Sequence, residues 1–107
     1  MNAWEVWECD LGHGTHPVVL ISHPSRAANK DVVELLDCST QRAARPPFPN
    51  EVILDIEDGM NWPTFCKCDL IYAVDRRDLK NRRGLVAIVR QRIIVSTIIQ
   101  SHGWTRF

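Results

Sequence analysis

No apolar run in this sequence approaches the roughly 18 residues that a membrane-crossing helix requires. Met1-Asn2-Ala3-Trp4-Glu5 has neither the basic head nor the apolar core of a secretion signal. These two absences predict a soluble, cytoplasmic protein with no membrane partner. Net charge is also absent, since 13 Lys and Arg balance 13 Asp and Glu. The four cysteines, Cys9, Cys38, Cys66 and Cys68, lack the spacing of a disulfide framework. Without a secretion signal they read as buried free thiols. Cys66 and Cys68 also lack the two-residue gap usual between paired zinc-binding cysteines, even with His13 or His16 as further ligands. No metal and no other cofactor is expected.

What is present suits a single domain over residues 1–107. Hydrophobic residues make up 45% of the chain, enough for one core and too many for disorder. The zero net charge hides an asymmetry. Up to Cys66 acids outnumber Lys and Arg by ten to four, and from Lys67 onward Lys and Arg lead by nine to three. The dense part, Arg76-Arg77-Asp78-Leu79-Lys80-Asn81-Arg82-Arg83, reads as a basic loop, open either to phosphate or simply to solvent.

Trp4–Cys9 carries β-formers in partial alternation and reads as a first strand. The glycine-punctuated turn Asp10–Thr15 leads into Pro17-Val18-Val19-Leu20-Ile21, whose continuous apolar character predicts burial on both faces. Residues 22–30 are a connection with room for a helical turn capped by Ser22 or Ser25. Asp31–Leu36 is a further strand, followed by a proline-rich loop over 41–50, a short strand Glu51–Leu54 and a turn at Glu57-Asp58-Gly59. In the long run from Thr64 to Val74, Thr64, Cys66 and Cys68 share one face. From Ala87 to Ser101 the residues Ala87, Ile88, Gln91, Ile94, Val95, Ile98 and Ile99 form one helical stripe, which predicts a C-terminal helix. Val89 and Ile93 lie off that stripe. Short strands followed by one helix predict a mainly β (α+β) fold, a small closed or half-closed antiparallel barrel.

His16 stands at the mouth of the second strand, biased to an extended backbone by Pro17. Asp37-Cys38-Ser39-Thr40-Gln41 follows the third. If the two strands pair and end at one edge, a histidine and two hydroxyls converge there.

The ordered series resembles the MazF/PemK/Kid ribonuclease toxins of toxin–antitoxin pairs over nearly the whole chain. The resemblance rests on Trp4 and Trp7, Pro17-Val18-Val19-Leu20-Ile21-Ser22, Cys38-Ser39-Thr40-Gln41, Glu51-Val52-Ile53-Leu54, Asp58-Gly59 and Lys67-Cys68-Asp69-Leu70-Ile71 leading to Val74-Asp75. It implies a Src-homology-3-like antiparallel barrel with a C-terminal helix, a homodimer, an antitoxin peptide or protein as partner, and metal-independent cleavage of single-stranded RNA by its own 2′-hydroxyl. By the family's motifs the catalytic arginine falls on His16, the catalytic threonine on Ser39, and an Arg-x-Asp acid–base pair on Lys67 and Asp69. His13, Thr40, Gln41, Arg42, Arg45, Arg76 and Arg77 are then expected to hold RNA. Arginine is always cationic, whereas a free imidazole titrates near pH ~6.5, so His16 is the marked departure. The alternatives are a non-catalytic barrel that binds a target such as gyrase, as the related CcdB proteins do, and a partner that only engages an antitoxin.

Overall fold

A computed structural model describes residues 1–104. Six strands form one antiparallel sheet: β1 (Glu5–Asp10), β2 (Thr15–Leu20), β3 (Val32–Cys38), β4 (Glu51–Leu54), β5 (Thr64–Asp75) and β6 (Lys80–Leu85). Their spatial order is β4-β5-β3-β2-β1-β6, and the two end strands do not bond each other. The result is a curled half-barrel, the mainly β fold with a C-terminal helix that the sequence predicts. Helix α1 (Pro24–Asn29) fills the β2–β3 connection, and α2 (Ile88–Ser101) closes the chain. No helix among the described residues is long and apolar enough to cross a membrane.

The side-chain alternation of the strands builds two cores, one on each face of the sheet. Val19 and Leu36 join Val6, Leu54, Cys66, Cys68, Ile94 and Ile98 on the face covered by α2. Val18, Leu20, Val33 and Leu35 join Cys9, Ala27 and Leu79 on the face covered by α1. The central strand β2 is therefore buried on both sides, with Val18, Val19 and Leu20 fully enclosed. All four cysteines are free and buried.

Three local expectations change. Helix α1 is capped by neither serine: the His23 side chain accepts from the Ser25 amide at 3.2 Å, and Pro24 supplies the first turn. Ser22 is instead spent on β3, where its Oγ accepts the Glu34 amide at 2.8 Å. The basic stretch is only partly a loop. After a short turn at Arg76–Asp78 it becomes edge strand β6, paired to β1 through Glu5↔Leu85, Val6↔Gly84 and Glu8↔Lys80. An edge strand tolerates a charged sequence because one face meets water. Here β1 supplies the opposite charge, with Arg82 Nε on Glu5 Oε2 at 2.8 Å.

The stripe of α2 is also narrower than its apolar periodicity suggests. Ile94, Thr97 and Ile98 are buried, but Ile88 and Val95 remain 67% and 43% exposed. The helix meets the sheet through Ile94, Thr97 and Ile98, and its amino end is pinned from the side by a carboxylate. Asp58 is fully buried; its Oδ1 accepts the Ala87 amide at 2.9 Å and its Oδ2 takes Arg90 Nη1 at 2.6 Å. Arg90 also grips both oxygens of Asp55, at 3.0 and 2.9 Å. Burial disfavours the Arg90 charge, and the bonds to Asp55 and Asp58 more than offset it, so its pKa lies above the ordinary arginine value. Beside this cluster the chain needs Gly59, at φ +94, since an added Cβ would lie 2.6 Å from the Arg83 carbonyl oxygen. That close approach brings β6 across the turn and sets where Arg83 emerges.

Candidate functional site

β2 and β3 pair as Val18↔Asp37, Val19↔Leu36 and Leu20↔Leu35, so the amino end of β2 and the carboxyl end of β3 meet at one edge. There a cavity of about 210 Å³ opens. β1 contributes Glu8 to it, and β2 contributes Thr15, His16 and Pro17. The turn after β3 contributes Ser39 and Thr40, the segment before β5 contributes Met60, Asn61 and Trp62, and β6 contributes Arg83. Thr64 closes the floor.

Each polar group is held by backbone. His16 Nδ1 lies 3.0 Å from the Cys38 carbonyl oxygen. A carbonyl only accepts, so Nδ1 carries the proton in this arrangement and Nε2 is left for chemistry. The His16 side chain is 15% exposed, enough to reach a ligand while its ring is fixed. Ser39 donates its amide to the Phe65 carbonyl at 2.9 Å, and its Oγ accepts the Gln41 amide at 3.1 Å. That turn leaves the Ser39 hydroxyl proton free to donate. The buried Thr64 hydroxyl is shared between the carbonyls of Ser39 and Gln41, at 2.7 and 3.0 Å, and so holds the 39–41 turn in place. Arg83 is oriented by its Nε donating to the Gly59 carbonyl at 3.1 Å. No carboxylate lies within salt-bridge distance of it among the described residues, although Glu8 lines the same cavity.

Behind His16 stands Asp37, whose side chain is 6% exposed. Its Oδ1 is 3.2 Å from His16 Nδ1, and its Oδ2 is 3.5 Å from His13 Nε2. The two imidazoles meet edge to face, 4.5 Å between centroids. Asp37 was not singled out from the sequence, nor were Glu8, Thr15, Asn61, Trp62 and Arg83 as members of the site.

Of the expected site residues, His16, Ser39 and Thr40 share the cavity and His13 packs against its rim. Gln41 serves through its backbone. Arg42 lies over the Trp62 ring, 5.8 Å from the centroid, at the cavity's edge. The others are elsewhere. Lys67 and Asp69 are exposed on β5, with Lys67 opposite Glu51 of β4, and neither lines the cavity. Arg45 is tied to both oxygens of Glu51, at 2.8 and 3.1 Å, and lies over Phe48 and Phe65. Arg76 donates to the Lys30, Arg26 and Ala27 carbonyls at 2.6, 3.3 and 2.7 Å, satisfying the carboxyl end of α1. Arg77 is bound to Asp75, and its guanidinium draws that carboxyl down to about 2. Cys66 and Cys68 belong to the core, where each other's proximity and burial push the Cys68 thiol far up. A thiol so held is not a ready metal ligand.

A family model for the PemK-like, MazF-like toxin of type II toxin-antitoxin systems matches residues 2–102. No curated protein sequence matches the chain. Solved structures do match in fold. An endoribonuclease in complex with its cognate antitoxin, from a mycobacterial species, superposes with TM-score 0.84 at 21% identity, covering 96% of this chain and 95% of that one. The Mycobacterium tuberculosis toxin MazF-mt6 gives 0.81 at 17% identity, over 92% and 96%. A MazE-MazF structure from Deinococcus radiodurans gives 0.76 at 12% identity, over 96% and 95%. With the family model spanning nearly the whole chain and the curled sheet shared with these toxins, the chain belongs to the PemK-like, MazF-like toxin family of type II toxin–antitoxin systems.

Proposed function

We propose that this chain is the endoribonuclease of its toxin–antitoxin pair, cleaving single-stranded RNA without a metal ion. The observation that carries the reading is the convergence of His16, Ser39, Thr40 and Arg83 on one cavity at the β2–β3 edge. Cleavage by internal transfer needs three things at one phosphate. A base must take the 2′-hydroxyl proton as that oxygen attacks phosphorus. A donor must protonate the 5′ oxygen as its bond to phosphorus breaks, and positive charge must cover the equatorial oxygens. His16 Nε2 suits the first role, because the Cys38 carbonyl already holds the Nδ1 proton. The Ser39 hydroxyl, whose own proton is free, suits the second role by relaying a proton from water to the departing 5′ oxygen, and Thr40 suits hydrogen bonding to the phosphate. Arg83 brings, from another strand, the guanidinium that the family places at the position of His16. Trp62, with Arg42 over it, offers an aromatic face on which an unpaired base can stack.

The products are a 2′,3′-cyclic phosphate, opening to a 3′-phosphate, and a 5′-hydroxyl. An antitoxin segment is the proposed protein partner, in keeping with the cognate antitoxin bound to the mycobacterial relative. The test is incubation of the purified protein with RNA in EDTA, followed by end-group analysis. Cleavage with those ends is expected, and His16→Ala should slow it about a hundredfold or more. Loss of cleavage in EDTA would overturn the metal-independent reading. RNA bound by the parent protein but never cut would favour a binding module on the same fold.

A further inference from the structure

We propose that His13, His16 and Asp37 form a binding site for a divalent transition ion, Zn²⁺ in the first place, at the rim of the cavity. The potential ligand atoms of the three residues all lie within 4.8 Å of one another. One of the edges already has the right length. Tetrahedral zinc with bonds of about 2.0–2.1 Å sets its ligand atoms roughly 3.3 Å apart. Here Asp37 Oδ1 to His16 Nδ1 is 3.2 Å, while His13 Nε2 lies 3.5 Å from the other carboxylate oxygen, Oδ2. The edges to His13 close by rotation of its ring, which is 48% exposed in the loop between Gly12 and Gly14.

An independent observation points to a cation. Asp37 Oδ1 is buried and has no hydrogen-bond donor, because the His16 N–H is given to the Cys38 carbonyl. A buried carboxylate oxygen without a partner is costly and rare, and a metal ion in the gap would satisfy it. Two neutral imidazoles and one carboxylate are the ligand set of a borderline-soft divalent ion and leave a fourth position for water on the cavity side. On binding, the His16 ring turns from the Cys38 carbonyl toward Asp37 Oδ1, its proton passes from Nδ1 to Nε2 through water, and Nδ1 gives its lone pair to the metal while the Cys38 carbonyl loses its donor. The bound ring no longer has an unprotonated nitrogen, so the ion also switches off the base. The binding claim stands apart from the ribonuclease reading; the inhibition rests on it.

Calorimetric titration of the EDTA-stripped full chain with Zn²⁺, in the absence of RNA, tests the site directly. One ion per chain is expected. His13→Ala alters a half-exposed loop residue and should weaken binding about a hundredfold or more, since even outer-shell losses cost ten- to hundredfold. Asp37→Asn should do the same, and His23→Ala and His102→Ala should leave the affinity unchanged. Cobalt in place of zinc should give a tetrahedral spectrum without thiolate charge transfer. No binding by the parent chain, or binding indifferent to His13→Ala, would overturn the site. For the second half, saturating Zn²⁺ should suppress RNA cleavage by the parent. An unchanged rate would overturn the inhibition while leaving the binding result intact.

Discussion

Arg83 enters the cavity with its Nε fixed on the Gly59 carbonyl, which leaves its terminal nitrogens for a phosphate. Arg83→Ala should therefore cost about a hundredfold in cleavage rate, the usual loss for one electrostatic contact made in the transition state. Arg83→Lys should recover part of it, since charge returns without the planar fork. Single-turnover kinetics beside urea unfolding separates this from misfolding: a rate loss matched by a large fall in stability would argue against a catalytic role. At this scale the sequence shows unequal parts of the site. His16 and Ser39 are legible because each stands at the end of a strand that its own neighbours predict. Arg83 is not, because its place depends on β6 pairing with β1, across most of the chain, and on a glycine turn that lets the two backbones touch. Asp37 hides for another reason. It reads as one more polar residue at a strand end, and only the β2–β3 register sets it under two histidines.

Between β3 and β4 the proline-rich loop owes its shape to one ion pair rather than to its prolines alone. Arg45 spans both oxygens of Glu51, and Glu51 Oε1 also takes the Phe48 amide at 2.8 Å. The Arg45 hydrogen bond, against some burial, holds the Glu51 carboxyl below the usual glutamate range. A lowered folded value means the contribution is complete above the ordinary glutamate value of about 4.3 and is lost as pH falls through the folded one. Amide exchange at Phe48, compared between pH 6 and roughly pH 3 and corrected for intrinsic rates, should show the loop opening in acid. Glu51→Gln has no charge to lose and should show no such step; a step of equal size in that variant would locate the titration elsewhere. Sequence alone supplies the loop and its two arginines, but not their use. Arg45 lies six residues before its partner, a spacing without meaning until Pro46 and Pro47 turn the chain. The same holds for the basic run after β5, where charge left phosphate and solvent equally open and the fold spends Arg76 on closing α1.

For the whole molecule, the half-barrel leaves α2 with far more apolar surface than the sheet covers. Ile88, Val89, Ile93 and Val95 are 67%, 68%, 47% and 43% exposed on one helix. Beside them a groove of about 540 Å³ runs between Trp4 and the helix, lined by Val95 and Ile99. Isolated apolar residues on a surface need no partner, but here Ile88 and Val95 stand on the groove's side of the helix and Val89 and Ile93 farther round its exposed half, and together they leave apolar surface of the kind that mediates association. A second copy of the chain is the occupant that fits best. The exposed face of the helix carries no acidic residue, so an identical face meets it without a buried carboxylate, and two-fold pairing lets one patch serve both partners. We therefore expect a homodimer by sedimentation at tens of micromolar. Val89→Glu with Ile93→Glu should convert it to a folded monomer, because both positions face water in the single chain and cost the core nothing. Circular dichroism checks that the fold survives. A parent protein already monomeric at that concentration, or a double variant that remains dimeric, would place the association surface elsewhere. The β2–β3 cavity lies within one chain, so if the single subunit suffices for catalysis the folded monomer keeps its cleavage of short RNA. A monomer that binds RNA but cannot cut it would mean that the partner subunit completes the site.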